Sequence, residues 1–137
     1  NDKLFAYPNG ECLVTREYPD VNFVLDLIHS AKGIAVMAHP VMFNNTELLL
    51  ELIEAGKLDG IEAYHHSATP TQQQKLADIA KEHDLIVTGG SDFHGLYNET
   101  MTHIGSMTTD KENLDKLFKL IHINSQKANK AAVKTEK

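Results

Sequence analysis

The chain has 137 residues, 42% hydrophobic and 23% charged, with a formal net charge of −6, a composition that fits one globular core and excludes fibrous or largely disordered organisation. No apolar run approaches the roughly 18–20 residues that a membrane span needs, and the acidic balance argues against a general nucleic-acid-binding surface. The single cysteine, Cys12, leaves no partner for an internal disulfide and rules out a cysteine-based zinc site.

The opening Asn1-Asp2-Lys3-Leu4 has no basic stretch followed by an apolar one, so we expect a cytoplasmic protein without a signal peptide. The missing initiating methionine suggests a piece of something longer. Charge is uneven: residues 1–124 carry 9 Lys+Arg against 18 Asp+Glu, whereas residues 125–137 hold four lysines and one glutamate. We therefore expect a domain over 1–124 and a lysine-rich tail, or frayed helix end, over 125–137.

In chain order, residues 1–19 read as an irregular or hairpin segment, with Pro8-Asn9-Gly10 as its turn between Leu4–Tyr7 and Cys12–Thr15. A helix follows over 20–32, with Asp20 as cap, Val21, Val24, Leu25 and Ile28 at helical spacing, and Gly33 as stop. Residues 34–38, all apolar, predict a strand buried on both faces, ending at His39-Pro40. A second helix runs from Thr46, as cap, to Ala55, with Gly56 as stop. A strand over 60–64 leads into His65-His66. Thr69-Pro70 opens a third helix with Gln72 placed for a capping box, a strand over 85–88 leads into Gly89-Gly90-Ser91-Asp92-Phe93-His94, and a last helix covers 110–121. Alternating strands and helices with short links predict an α/β fold built of parallel βα units.

In such folds ligands gather at the carboxyl ends of the strands. Three successive strands here end in residues able to bind metals or move protons: His39, then Glu62 with His65 and His66, then Asp92 with His94. Alternation along an extended segment would point Asp92 and His94 the same way, and a carboxylate beside an imidazole suits Mn²⁺, Fe²⁺ or Zn²⁺; the plainer alternative is a turn-capping Asp92 beside an ordinary loop histidine. Glu62 either pairs with a cation or points to solvent, since a buried unpaired carboxylate is costly. His65 and His66 read as loop histidines rather than ligands, His29, His83 and His122 as surface residues on helices, and His103 as lying on a possible later strand. Arg16, the only arginine, is suited to a phosphate or to a salt bridge with a nearby acid. No G-x-x-x-x-G-K loop, G-x-S-x-G elbow or H-E-x-x-H occurs, so metal-activated water is the favoured chemistry.

Gly33 through His39-Pro40, then Asp59-Gly60-Ile61-Glu62, then Gly90-Ser91-Asp92-Phe93-His94-Gly95 resemble the later motifs of the PHP (polymerase and histidinol phosphatase) superfamily, over about residues 10–105. Within it, the likeness is greatest to small metal-dependent phosphoesterases, including nucleoside bisphosphate phosphatases and 5′-to-3′ exoribonucleases. The resemblance implies a distorted (β/α)7 barrel holding two or three divalent metals (Mn, Fe or Zn). It makes His39, Asp92 and His94 metal ligands and gives Asp92 and His94 the catalytic part; Glu62 and Arg16 become candidate substrate-binding residues. The family's opening His-x-His and its middle Glu and His ligands do not occur in the 137 residues. The expectation is thus the C-terminal portion of such an enzyme, which alone is nearly inactive. Its partners would be the N-terminal half of the same domain and a phosphorylated small molecule or nucleic-acid 5′ end, with no membrane. The alternatives are a non-catalytic PHP-like domain with an assembly or regulatory role, a histidinol-phosphatase-type activity, and another barrel metal hydrolase such as an amidohydrolase.

Overall fold

The computed structural model describes residues 2–5, 10–14, 16–95 and 102–135. In chain order its elements are α1 (Asp2–Phe5), α2 (Val21–Ser30), β1 (Val36–Met37), α3 (Thr46–Glu54), β2 (Gly60–Tyr64), α4 (Pro70–Glu82), β3 (Ile86–Gly89) and α5 (Lys111–Thr135). The strands form one parallel sheet in the order β1-β2-β3. Parallel neighbours need a crossover, and α3 and α4 provide the two, so the expected α/β class of parallel βα units is borne out. No helix among the described residues is long and apolar enough to cross a membrane.

Local signals account for most helix ends. Asp20 caps α2, its Oδ1 accepting from Asn22 N at 2.9 Å and Phe23 N at 3.3 Å. Thr69 and Gln72 form the expected reciprocal capping box at α4, with Pro70 in its first turn. At α3 the cap falls on Asn45 rather than Thr46 and makes no side-chain bond. At the end of α2, Lys32 takes the left-handed turn (φ 62°) instead of Gly33. Gly33 is needed for a different reason: its N–H donates to Ile28 O at 2.8 Å, and a Cβ there would lie 2.9 Å from Ile28 Cγ2.

The core is a cluster of Leu25, Leu49, Leu52, Ile53, Leu58, Ile61, Ala63, Leu76, Ala80 and Val87, with Ala35. Ile61 and Ala63 of the central strand are fully buried on one face, while Glu62 and Tyr64 on the other are half-buried. The strand expected over 34–38 is shorter. Only Val36–Met37 pair, both are half-buried, and Ala38 is exposed; the Asp59 carboxylate takes the Ala35 N–H at 2.7 Å before the ladder begins.

Two further expectations change. Leu4, expected in a hairpin strand, sits in the single turn α1, to which the chain returns through Glu11 N and Cys12 N bonded to Lys3 O and Leu4 O; Pro8 and Asn9 lie outside the described residues. The last helix does not end near Ile121. It continues to Thr135, taking in most of the segment expected as a tail. No glycine or proline follows Gly105, and the Lys- and Ala-rich composition favours helix. Much of its apolar stripe, including Leu114, Phe118 and Ile121, stays exposed.

Candidate functional site

Because the strands are parallel and adjacent, the residues that follow each of them share one rim. His39 comes two residues after β1, His65 directly after β2, and Asp92 and His94 shortly after β3. Asp92 Oδ1 lies 2.8 Å from His94 Nε2, and its Oδ2 lies 3.5 Å from His65 Nε2. The His39 and His65 ring centres are 5.1 Å apart and those of His65 and His66 4.1 Å, while Phe43 stands edge-on to His39 at 5.8 Å.

Two of these residues hold backbone conformations rare outside glycine: His39 has φ 28° and Asp92 φ 47°. Such conformations persist only when their surroundings hold them. At His39 the holder is Glu62, whose Oε2 accepts the His39 N–H at 2.8 Å. The other Glu62 oxygen lies beneath Gly90, where an added Cβ would meet it at 2.6 Å. Half-buried Glu62 thus reaches from the end of β1, where it accepts the His39 N–H, to the backbone of the turn after β3. Asp92 and His94 do come together, but not by strand alternation, since residues 91–95 are not in a strand. The left-handed turn at Asp92 brings them into contact.

Three buried imidazole nitrogens on this rim have no hydrogen-bond partner: His39 Nδ1, His65 Nε2 and His66 Nδ1. Buried polar atoms are almost always paired, so this concentration marks the place as built for something beyond the fold. His65 is 1% exposed. Its burial pushes the imidazole below its ordinary value, the neighbouring His66 acts in the same direction, and Glu62 opposes. For Asp92, burial pulls the carboxyl upward, but the hydrogen bond and charge of His94, together with His65 and His39, outweigh it and hold it below its usual value. His65 and His66, read from the sequence as inconsequential loop histidines, are thus central to the rim. The signal available was their position directly after an apolar strand.

Arg16 lies exposed in the irregular stretch before α2, and no ion pair joins it to another described residue. His83 and His103 are exposed, and His103 is not on a strand. His122 is exposed and bonds Gln126. His29 differs from expectation: it is half-buried, with Nε2 3.1 Å from Asp59 Oδ2.

The donor chemistry suits a divalent cation, with neutral imidazole nitrogens beside an anionic carboxylate. Among the described residues no three His, Cys, Asp or Glu side chains stand as a ready-made ligand group. Concavities also lie away from the rim. One of about 320 Å³ opens between α4, α5 and β3, lined by Ala77, Lys81, Asp84 and Lys116 among others.

The structure is a parallel α/β scaffold whose strand ends bring His39, His65, His66, Asp92 and His94 to one rim. Sequence comparison gives 34% identity over 96 residues to a phosphoribosyl 1,2-cyclic phosphate 1,2-diphosphodiesterase from Eggerthella lenta, covering 70% of this chain and 36% of that protein. A 5′-3′ exoribonuclease from Haemophilus influenzae is 40% identical over 96 residues, 67% of this chain and 35% of the relative. Among solved structures, a candidate metal-dependent phosphoesterase from Bifidobacterium adolescentis superposes with a TM-score of 0.66 at 29% identity, over 82% of this chain and 41% of that one. No family model matches the chain. The chain spans about a third of the length of the curated relatives it matches. The chain is thus similar to a portion of proteins named as phosphate-ester hydrolases, in keeping with the PHP resemblance of the motifs around His39, Glu62 and Asp92.

Proposed function

We propose that this chain is the portion of a PHP-type metal-dependent phosphoesterase that supplies His39, Asp92 and His94 to a divalent metal centre. The complete protein is a distorted (β/α)7 barrel, finished by an N-terminal half, that hydrolyses a phosphate ester of a nucleotide or short RNA. The observation that carries this reading is the cluster of buried, unpartnered imidazole nitrogens beside Asp92, at the carboxyl ends of three parallel strands. The names of the relatives, a phosphodiesterase and an exoribonuclease, support phosphate-ester chemistry.

A bound divalent ion supplies Lewis acidity toward a phosphoryl oxygen and lowers the pKa of water. His39 would hold it through Nδ1 and Asp92 through its carboxylate, which the neighbouring imidazoles keep anionic. His94, bonded to Asp92 Oδ1, would become a ligand on leaving that bond, and its exposed side chain has room to move. Glu62 keeps His39 in its strained turn. Phe43 walls the rim beside His39.

The test measures Mn²⁺ affinity and hydrolysis of nucleotide, short-RNA, histidinol phosphate and amide substrates, on this chain and on one extended upstream. Each is compared with its Asp92→Asn variant. The expected result is weak metal binding by the chain alone, tight stoichiometric binding by the extended form, phosphate-ester turnover only by the latter, and loss of both with Asp92→Asn. Amide turnover, or no metal on either form, would sink the proposal.

A further inference from the structure

His65 is the most buried polar side chain of the rim, and its two ring nitrogens have different surroundings. Nδ1 accepts the Ser67 N–H at 3.2 Å and lies 2.8 Å from Ser67 Oγ. Nε2 has no hydrogen-bond partner and faces Asp92 Oδ2 at 3.5 Å. A backbone N–H can only donate, so the nitrogen it points to must carry a lone pair. A proton on Nδ1 could be given to Ser67 Oγ, but it would confront the Ser67 N–H and leave that group without its acceptor. The His65 ring lies against those of His39 and His66, and its backbone carbonyl accepts from both Ala68 N and Gln73 Nε2.

We infer that Ser67 fixes His65 in its Nε2–H tautomer, making it a positioning residue that offers a hydrogen bond to Asp92 rather than a lone pair to a metal. Asp92 then has an imidazole at each oxygen: His94 on Oδ1 at 2.8 Å and the His65 donor facing Oδ2. A small turn of the carboxylate closes the 3.5 Å gap to hydrogen-bond length. Held this way, the carboxylate keeps one orientation toward the rim, as outer hydrogen-bond partners do for metal ligands generally. The inference rests on the reading of Asp92 as a metal ligand, but the tautomer itself can be observed without metal.

The measurement is a long-range ¹H–¹⁵N correlation on the chain labelled with ¹⁵N-histidine, which separates the two neutral tautomers by their cross-peak patterns. The His65 signals are those missing in His65→Gln. The expected result is a protonated Nε2 and a lone-pair Nδ1, with the Nε2 proton retained when Zn²⁺ is added. An Nδ1–H tautomer, or displacement of the Nε2 proton by Zn²⁺, overturns the inference. If Zn²⁺ perturbs none of the rim histidines in either the chain or its upstream-extended form, the metal-centre reading fails, and the metal-free tautomer alone decides this proposal. A second arm compares Zn²⁺ affinity. His65→Gln, whose amide can donate from a similar place, should stay within about threefold of the parent, and His65→Leu should weaken binding about tenfold, in the range seen for outer-shell partners. Equal losses in the two variants would mark His65 as a ligand and overturn the inference. Should His65→Leu fail to fold, the tautomer of the unmodified chain still gives the answer.

Discussion

Asp59 and Asp92 each meet a histidine beside the same sheet, at opposite ends of it. Ahead of β2, Asp59 Oδ2 accepts the Ala35 N–H at 2.7 Å and faces His29 Nε2 at 3.1 Å, so one carboxylate joins α2, the approach to β1 and the approach to β2. Beyond β3, Asp92 meets His94 and His65, yet three ring nitrogens around it are buried without partners. The first arrangement is closed, since the carboxylate is taken up by groups of the chain itself. The second is open. Residue type does not separate a structural His–Asp pair from a site, but the number of buried polar atoms left unmatched does.

The largest effects come from breaking each pair. Asp59→Ala removes the acceptor of a half-buried backbone N–H and a histidine partner together, and should cost about 2–3 kcal/mol of stability in urea unfolding while leaving the metal affinity of the folded fraction unchanged. Asp92→Asn keeps the side-chain shape and a residue that tolerates positive φ. It should change stability by less than about 0.5 kcal/mol and weaken Mn²⁺ binding by about 100-fold. If Asp92→Asn proved as destabilising as Asp59→Ala, the distinction between closed and open pairs would be wrong.

Glu62 is the intermediate case, because it braces the fold and the site at once. Removing it with Glu62→Ala frees the His39 N–H and the strained turn that carries it, at an expected cost of about 1–2 kcal/mol, with weaker metal binding as well. Glu62→Gln retains an oxygen to accept that N–H and should recover most of the stability. Gly90→Ala offers an independent route to the same result, since its new Cβ would displace Glu62 Oε1. Unfolding midpoints and Mn²⁺ titrations on the three variants should rank Glu62→Ala and Gly90→Ala together, below Glu62→Gln.

How legible each part was follows from the range of the interactions that form it. The Asp20 cap, the Thr69–Gln72 box and the apolar strands of 60–64 and 85–88 depend on neighbours within a few residues, and the sequence displays them directly. Thr69→Ala should accordingly cost about 1 kcal/mol and leave metal affinity untouched, a control that belongs to neither pair. That His39, Asp92 and His94 follow successive strands on one rim was legible at coarser grain, through strand ends in a parallel fold. The burial of His65 was not, because it depends on His39 and His66 rings brought together by the sheet. Nor was the role of Glu62, whose partners are 23 and 28 positions away in sequence, at His39 and Gly90. The left-handed turns at His39 and Asp92 were hidden as well, because tertiary bonds rather than residue type hold them.

Asp110 is a third aspartate, closed like Asp59 but exposed, and it gives the smallest effect. Its Oδ1 accepts Asn113 N at 2.8 Å and its Oδ2 accepts Asn113 Nδ2 at 2.9 Å, while Asn113 Oδ1 accepts Val87 N at 2.9 Å, tying the start of α5 to β3. The Asn113 backbone and side-chain bonds, assisted by Glu112 N and Lys116, hold the Asp110 carboxyl below its ordinary value of 3.8. A carboxyl lowered on folding adds stability that is fully present above its unfolded value and is lost as pH falls through the folded one. Stability of the chain should therefore decline on acidification below about pH 4, and Asp110→Asn should flatten part of that decline by giving up at pH 7 the small contribution that the carboxylate supplies there. Thermal midpoints across the acid range would show it. An unaltered acid slope in Asp110→Asn would mean that the Asn113 link holds equally well with a neutral cap.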